Sequence, residues 1–240
     1  MKILLSSAKT MGLSLIHGSQ MPHFMEDAIR FHGEMARWSG AKISTYHGTS
    51  AALSQKIKER LVEWMPEAHA SAALGSFQGE AFAKLALDTM EPQAQKHALS
   101  SIYVGSGLYG ILRGSDRIQP YRLDMDQKWE GKSLRTFWTR KISAWLNDEL
   151  QGQPLINLAS NEYADAFDRN GMHWIDVDFF QESGGNRKAV SVFSKQARGL
   201  MARHLCEHYA AGLAAIPTFS QESYVLDPAA STEQRYVFVR

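Results

Sequence analysis

The chain is poor in cysteine: Cys206 is the one thiol among 240 residues. A single thiol cannot form an internal disulfide, so the sequence excludes a small secreted domain held together by disulfides. It fits a protein that works in a reducing compartment.

Long apolar runs are also missing. The N-terminal run Ile3–Leu5 is much shorter than the apolar region of a signal peptide, and no stretch reaches the roughly 18 residues of a membrane helix. By elimination we expect a cytoplasmic protein that does not have a membrane as a partner.

Neither sign of charge dominates, since 26 Lys and Arg face 25 Asp and Glu, for a formal net charge of +1. A protein that binds nucleic acid over its whole surface usually has a strong basic excess, although a local basic patch remains possible. The 44% of hydrophobic residues suffices for a sizeable core. Because the chain has no repeat and no linker-like segment, we expect a single domain over residues 1–240.

The spacing of apolar residues predicts a mixed α/β (α+β) fold. Helical spacing predicts helices over 22–38, 50–64, 133–150 and 195–211, with a possible short helix at 81–87. Short apolar runs predict strands at 2–7, 101–104, 154–158, 174–180, 189–193, 223–226 and 236–239. Gly184 and Gly185 predict a hairpin turn between the strands at 174–180 and 189–193. The glycine-rich stretch 105–124 is interpreted as an ordered loop with at most one helical turn, since Gly114 and Pro120 disfavour a long helix.

Gly105, Gly107 and Gly110 fit the GxGxxG pattern of dinucleotide-binding proteins. That pattern needs a full helix after the last glycine, and Gly114 and Pro120 leave no room for one. We therefore interpret these glycines as a tight loop and predict no cofactor.

His204, Glu207 and His208 fit the HxxEH pattern of some zinc proteases. A catalytic zinc ion needs a third protein ligand, and Glu222 and Glu233, the glutamates that follow, lie on no obvious helix. A solvated or partly buried helix face is the preferred interpretation, and we predict no metal site.

Lys9 lies in the first of three polar clusters, Ser6–Thr10, directly after the first predicted strand. Loops at the carboxyl ends of parallel strands often form binding sites. Lys9 and Thr10 could hold an anion, and a desolvated Lys9 could act as base or nucleophile. The alternative is an ordinary surface lysine.

The second cluster combines arginines, aspartates and tyrosines in the glycine-rich stretch: Tyr109, Arg113, Asp116, Arg117, Tyr121, Arg122 and Asp124. Arginine binds phosphate or carboxylate through two parallel hydrogen bonds, and aspartates can orient it. The alternative is a structural ion-pair network that holds the loop in place.

The third cluster is Lys195, Arg198 and Arg203 on the last long predicted helix. Lys195 and Arg198 share a face near the helix start, where cations oppose the helix dipole and an anionic partner would relieve them. A solvated basic face is the alternative. Gly199 indicates close approach of another backbone or a ligand.

Two further segments offer polar side chains to the same cleft. Residues 157–163, which include Asn157 and Glu162, follow a predicted strand and can supply hydrogen bonds. Glu80 is an additional candidate carboxylate.

These residues fall within motifs that occur in a recognisable order: SxAKT at 6–10, FQGE at 77–80, SGLYGILR at 106–113, PYRLDM at 120–125, FW at 137–138, NLASNEY at 157–163 and ARGLMAR at 197–203. Together, and with residues 219–224, they resemble the YaaA family of peroxide-stress-response proteins from end to end.

The resemblance implies a cytoplasmic bacterial protein with a central mixed sheet, flanking helices and a positively charged cleft. It implies resistance to hydrogen peroxide through low free intracellular iron, and DNA binding partly through a helix-hairpin-helix element. The motif positions expected to line or approach the cleft are Lys9, Arg113, Tyr121, Arg122, Lys195, Arg198 and Arg203.

The sequence departs from the family pattern at two places. Ser7 stands where a proline is usual. The hairpin glycine expected between the two early predicted helices is missing, and Leu53–Ile57 is predicted as continuous helix. Backbone amides in such a hairpin approach phosphate only where glycine allows it, which weighs against DNA binding by that element.

The sequence supports two main functional hypotheses. The first is a stress protein that binds nucleic acid through the cleft. The second is an enzyme for a small anionic or nucleobase-containing substrate, with Lys9 as nucleophile or base and Asp124 or Glu162 as its acid/base partner. Direct iron storage has little support, because the helices lack the paired Glu and Glu-x-x-His pattern of di-iron proteins.

Overall fold

The fold is described by a computed structural model over residues 1–66 and 70–240. The strands are β1 (Lys2–Ser6), β2 (Ser71–Ala72), β3 (Ile102–Ser106), β4 (Gly110–Arg113), β5 (Arg117–Ile118), β6 (Lys128–Trp129), β7 (Lys132–Ser133), β8 (Leu155–Asn157), β9 (Trp174–Ser183), β10 (Asn186–Lys188), β11 (Val225–Leu226) and β12 (Arg235–Val239). The α-helices are α1 (Met25–Met35), α2 (Gly40–His47), α3 (Ala51–Glu63), α4 (Ala73–Ser76), α5 (Glu80–Leu85), α6 (Pro92–Ser101), α7 (Leu134–Leu150), α8 (Asn161–Ala164) and α9 (Ser191–Glu207).

The main sheet has the strand order β11-β12-β9-β8-β1-β3-β4, and β10 pairs with β9. The pairings from β12 through β9, β8 and β1 to β3 are parallel, whereas β4, β10 and β11 pair antiparallel. Helices pack around this sheet, which confirms the predicted mixed α/β fold with a central mixed sheet.

The central strand β1 shows why the first apolar run becomes a strand in the middle of the sheet. Ile3, Leu4 and Leu5 are all buried, as expected for a parallel strand with both faces covered. They belong to one hydrophobic cluster that reaches Phe238 in β12, so both ends of the chain share the same core.

Helix α7 confirms the most regular helical pattern of the sequence. The Ser133 hydroxyl accepts a hydrogen bond from the backbone N–H of Thr136 and caps the first turn. Trp138, Ile142 and Leu146 form its buried stripe. The indole N–H of Trp138 donates to the carbonyl of Gly107 at 2.9 Å, which ties α7 to the turn after β3.

The predicted loop over 105–124 is wrong in its first part, because residues 102–113 form the antiparallel hairpin β3–β4. Gly110 has φ of +70° and lies against Trp138, so a side chain there would be both strained and obstructed. The backbone N–H of Tyr109 donates to the Ser106 hydroxyl within the turn. The glycines serve a tight turn, and the GxGxxG pattern does not begin a helix.

The region around the Gly184–Gly185 turn is partly as predicted. Both glycines have positive φ and join β9 to β10 in a hairpin. The predicted strand at 189–193 is wrong, because α9 already begins at Ser191. Val192 and Phe193 are exposed on the first turn of α9. The prediction failed because it assumed that these apolar residues were buried in a strand.

Helix α2 was not predicted from the sequence, and it changes the interpretation of the early helices. Ser39 caps α2, and Gly48 ends it with φ of +59°; Ser50 then caps α3. A helical hairpin with a glycine at its turn is therefore present, which corrects the conclusion that this glycine is missing. The sequence does not reveal α2 because the helix buries a single residue, Ile43, and so lacks a repeat of apolar residues at helical spacing.

Within residues 1–66 and 70–240, none of the helices combines the length and the apolar character needed to cross a membrane.

Candidate functional site

The main candidate site lies where the order of the strands in the sheet reverses. The next strand of this sheet after β1 is β3, which pairs with one edge of β1, whereas the later strand β8 pairs with the other edge. Ligands of open α/β sheets bind at such a point, outside the carboxyl ends of the strands. A cavity of about 370 Å³ opens there.

The cavity is lined by the segments that follow β1 and β8, by the start of α5, by Asp124 and by the first half of α9. Its lining residues are Leu5, Ser6, Ser7, Ala8, Lys9, Thr10, Gln78, Gly79, Glu80, Ala81, Phe82, Asp124, Leu158, Ser160, Glu162, Tyr163, Lys195 and Arg198. Five separate parts of the sequence thus meet at one edge of the sheet.

Hydroxyl groups join the two segments at the floor of the cavity. The Ser6 and Ser160 hydroxyls lie 3.2 Å apart, and the Ser6 hydroxyl accepts from the Ser160 backbone N–H at 2.8 Å. The Ser7 hydroxyl donates to the Tyr163 hydroxyl at 2.9 Å. Burial raises the pKa of Tyr163, so this hydroxyl stays neutral at physiological pH.

Asp124 is held from two sides. Its backbone N–H donates to the Gln127 side chain at 2.8 Å. Its carboxylate lies 3.5 Å from the Lys9 ammonium and 3.7 Å from the Arg122 guanidinium. The Lys9 side chain is 66% exposed, so this ion pair is solvated and contributes little to stability.

Glu162 differs from Asp124 because it has no ion-pair partner among the described residues. Burial raises the pKa of its carboxyl, and the nearby charges of Asp126 and Asp124 raise it further. A carboxyl with a raised pKa in a cavity is a candidate for exchanging a proton with a bound molecule, because its proton exchange is shifted towards neutral pH.

Helix α9 supplies the cations Lys195 and Arg198, and Gly199 allows α9 to approach α5 closely. A Cβ atom on Gly199 would lie 2.0 Å from the carbonyl oxygen of Ala81, so only glycine fits at this crossing. The sequence-based expectation that Gly199 marks close approach of another backbone is confirmed. Gln196 also contacts α5, where its side-chain amide donates to Glu80 at 2.8 Å.

Arg198 is the half-buried cation of the cavity. Its Nε is buried without a hydrogen-bond partner, and its guanidinium makes no ion pair within the described residues. Burial lowers the pKa of Arg198, because desolvation disfavours its charged form, although the charge of Asp178 partly opposes this effect. An anion in the cavity would supply the missing partner.

The lining is balanced in charge. Three cationic side chains, Lys9, Lys195 and Arg198, face three carboxylates, Glu80, Asp124 and Glu162. The positively charged cleft expected from the resemblance is therefore not shown by these lining residues. The charged side chains of the lining differ in whether they have an ion-pair or hydrogen-bond partner nearby, and the net charge of the lining does not separate them.

Comparison with known proteins identifies the family of this chain. The sequence model for the family described as Peroxide stress protein YaaA matches residues 1–230. The chain belongs to the YaaA family. It is 31% identical over 254 residues to a UPF0246 protein of Francisella tularensis subsp. novicida strain U112, and 34% identical over 251 residues to one of Ruegeria sp. strain TM1040. Each alignment covers 100% of both chains.

Family motif positions divide into those that line the cavity and those that do not. Lys9, Thr10, Asp124, Glu162, Lys195 and Arg198 line it. Arg122 lies behind Asp124, and the buried Tyr121 hydroxyl lies 2.6 Å from the Ser106 hydroxyl.

Arg113 lies outside the cavity lining. Its guanidinium donates two hydrogen bonds of 2.9 Å to the Glu149 carboxylate and lies 4.7 Å from the ring centroid of Trp145. Asp116 accepts from the backbone N–H of Arg113 at 2.8 Å. These contacts match the alternative of a structural ion-pair network.

Arg203 and Asn157 also have structural partners. The Arg203 guanidinium donates to the carbonyls of Leu85 and Ala86 and pairs with Glu207. The Asn157 amide donates to Asp176 at 2.7 Å. Neither residue lines the cavity.

The HxxEH histidines are likewise engaged elsewhere. His204 Nε2 lies 3.0 Å from the Ala215 carbonyl, and His208 Nδ1 lies 2.9 Å from the His204 carbonyl. Throughout the ranges that the structure describes, no group of three or more His, Cys, Asp or Glu side chains is arranged to hold a metal ion.

Gln78 and Phe82 are lining residues that the sequence interpretation missed. The signal for Gln78 was present, because Gln78 lies within the FQGE motif, but only Glu80 of that motif was proposed as a site residue. Residues 77–79 run beside the segment after β1, where a Cβ atom on Gly79 would lie 2.7 Å from the Cβ atom of Ala8. Phe82 follows on α5, outside the motifs recognised in the sequence.

Proposed function

We propose that the cavity at the carboxyl edge of the sheet binds a small anionic molecule and that Glu162 exchanges a proton with it. The observation that carries this proposal is that Arg198, a half-buried residue of the cavity lining, has its Nε buried without a hydrogen-bond partner. A buried polar atom without a hydrogen-bond partner is costly, and an anion in the cavity would supply one. The volume of about 370 Å³ suits a small molecule.

Glu162 is the preferred acid/base group of this enzyme hypothesis. Its raised pKa places its proton exchange closer to neutral pH than that of an ordinary glutamate. Lys9 is less suited to act as nucleophile or base, because a catalytic lysine needs desolvation and Lys9 is 66% exposed. Lys9 instead contributes charge at the mouth of the cavity.

The proposal is tested by isothermal titration calorimetry with inorganic phosphate and with a panel of small phosphate and carboxylate compounds. We expect binding in the parent protein and at least a tenfold loss of affinity in Arg198→Met, which keeps the side-chain length but removes the charge. Arg140→Met is the matched control, because Arg140 lies on α7 and outside the cavity lining. Equal affinities in all three proteins would refute an anion site at Arg198.

Nucleic-acid binding is a second candidate, and the helical hairpin α2–α3 favours it. Gly48 is exposed at the hairpin turn with open space around its Cα, so the backbone can approach a phosphate group. Lys56 is exposed on α3. This surface, and not the charge-balanced cavity, is where we propose that DNA is held.

Fluorescence anisotropy with labelled duplex and bubble DNA tests this candidate. We expect affinity to fall steeply with added salt, because phosphate contacts release counterions. Lys56→Glu should weaken binding more than Lys96→Glu, which makes the same charge change on α6. Undetectable binding at low salt would eliminate the candidate.

For the cellular role we propose a contribution to peroxide resistance of the YaaA type, through limitation of free intracellular iron. Cys206 is not expected to take part, because its thiol is buried and burial raises its pKa to about 12. A bacterial deletion strain should regain growth in hydrogen peroxide, and a low level of chelatable iron, with both the parent gene and Cys206→Ala. Loss of rescue in a folded Cys206→Ala protein would point to thiol chemistry instead.

A further inference from the structure

Charged side chains in the cavity fall into two groups when they are sorted by partner. Asp124 pairs with Lys9 and contacts Arg122, and Glu80 accepts a hydrogen bond from Gln196. In contrast, Lys195, Arg198 and Glu162 have no ion-pair partner within the described part of the chain. The cavity therefore contains unpaired charges of both signs.

The two unpaired cations come from one helix face. Lys195 and Arg198 are three residues apart on α9, and both line the cavity. The close approach of Gly199 to Ala81 packs α9 against α5 and so fixes the backbone that carries the two cations beside the cavity. An anionic group between them would be bound by a preformed site.

The unpaired carboxyl comes from a different element. Glu162 lies on α8, after β8, in the neighbourhood of Asp124 and Asp126. Both neighbours have cations of their own: Asp124 contacts Lys9 and Arg122, and Asp126 forms a short ion pair with Arg135. Glu162 alone among these three carboxyls lacks one.

We propose that the ligand of this cavity carries charge of both signs: a phosphate or carboxylate group that binds Lys195 and Arg198, and an amine or other N–H-donating group that binds Glu162. This inference rests on the proposed anion site. A purely anionic ligand would satisfy α9 but would place additional negative charge near Glu162. A ligand with both an anionic group and an ammonium group would pair with the cations of α9 and with the carboxylate of Glu162 on α8, so that these three charges would all have partners.

The behaviour of Glu162 with pH supports this assignment and adds a second readout. Its carboxyl has a raised pKa because of burial and the neighbouring carboxylates, and a bound ammonium group would oppose both effects. As pH rises, Glu162 becomes more fully ionised while the amine of the ligand keeps its proton, so the gain in affinity from the amine should increase with pH.

Matched probes that differ only in the amine test the inference. We would measure the Kd of 2-aminoethyl phosphate against ethyl phosphate, and of 3-aminopropyl phosphate against propyl phosphate, by calorimetry from about pH 5 to about pH 8. The proteins are the parent, Arg198→Met and Glu162→Gln, each checked for cooperative thermal unfolding with a melting temperature no lower than that of the parent. Glu162→Gln preserves the shape of the side chain and removes its charge.

We expect the aminoalkyl phosphates to bind the parent about tenfold more tightly than the alkyl phosphates at neutral pH, with a smaller ratio at acidic pH. Glu162→Gln should reduce that ratio to about one, and Arg198→Met should weaken every probe. Equal affinity for both members of each pair in the parent, with binding still lost in Arg198→Met, would overturn the inference and leave the anion site intact. A ratio that survives in Glu162→Gln would also overturn it, whereas no binding of any probe would refute the proposed function itself.

Discussion

Two arginines of this chain, Arg113 and Arg198, have contrasting surroundings: the first forms an ion pair within the fold, and the second lines the cavity. Arg113 lies beside β4, donates two hydrogen bonds to Glu149 and stacks near Trp145. Arg198 is half-buried at the edge of the cavity with its Nε unpartnered. Both belong to polar clusters that look alike in the sequence.

The difference between them lies in what the surrounding protein supplies. Around Arg113 the chain provides a carboxylate, so the arginine holds α7 against the β3–β4 hairpin. Arg198 instead borders a cavity of about 370 Å³, and its Nε has no hydrogen-bond partner among residues 1–66 and 70–240. Arg113 thus has its partner within the fold, whereas we propose that a ligand supplies the partner of Arg198.

The largest effect concerns Asp116, which belongs to the stabilised region but is buried with one carboxyl oxygen unpartnered. Burial raises the pKa of Asp116 to about 7, from the ordinary 3.8, although Arg113 partly opposes the shift. Between those two values the folded protein binds more protons than the unfolded chain. The free energy of unfolding should therefore fall as pH rises from about 4 to about 7 and level off above, by up to about 4 kcal/mol.

Asp116→Asn should remove this dependence, because asparagine can still accept from the Arg113 backbone N–H but does not titrate. Urea unfolding of parent and variant at several pH values measures the difference. His47, whose pKa is lowered to about 4 mainly by burial, gives a slope of opposite sign in both proteins and cancels in the comparison. An unchanged slope in the variant would show that Asp116 is ionised at neutral pH.

The second effect concerns the helix crossing that positions the cavity cations. Gly199→Ala should destabilise the fold by about 3 kcal/mol, because the new methyl group meets the Ala81 backbone and the helices must separate. Gly33→Ala in α1 is the control, since no atom lies within 4 Å of its added Cβ. That substitution should stabilise the protein by up to about 1 kcal/mol. Similar melting temperatures for the two variants would contradict the close crossing.

The third effect concerns the Arg113–Glu149 pair. Arg113→Met should cost about 2 kcal/mol, because it leaves a partly buried carboxylate without its partner. Glu149→Gln should cost less, and the double variant should cost less than the sum of the two single changes. Thermal unfolding of the four proteins measures this coupling. If the losses of stability in the two single variants add up to the loss in the double variant, the Arg113–Glu149 ion pair contributes no coupling energy to the fold.

The sequence predicted the regular parts of the fold well. Helix α7 was recognised because six apolar residues repeat at helical spacing between Leu134 and Leu146, and β1 because three apolar residues run together. Where the pattern was short, interpretation failed. Helix α2 buries Ile43 alone, and the apolar residues Val192 and Phe193 suggested a strand although they lie exposed at the start of α9.

For the candidate site, the sequence identified polar segments but not their partners. Lys9, Glu162 and Arg198 were recognised because each follows a strand or lies near a helix start, and Asp124 because of the density of charged residues around it. All four line the cavity. Arg113 belonged to the same prediction, yet its partner Glu149 lies 36 residues away and was never singled out. Which arginine finds a carboxylate is decided by the tertiary fold, and spacing along the chain does not reveal it.

We propose that Arg198 binds a ligand, whereas Arg113 stabilises the fold. The direct test measures melting temperature and phosphate affinity together for Arg198→Met and Arg113→Met. We predict that Arg198→Met keeps or raises the melting temperature and loses phosphate binding, because it removes a buried cation without a partner. Arg113→Met should lower the melting temperature and keep phosphate binding. A marked loss of stability in Arg198→Met with phosphate affinity unchanged would contradict the account.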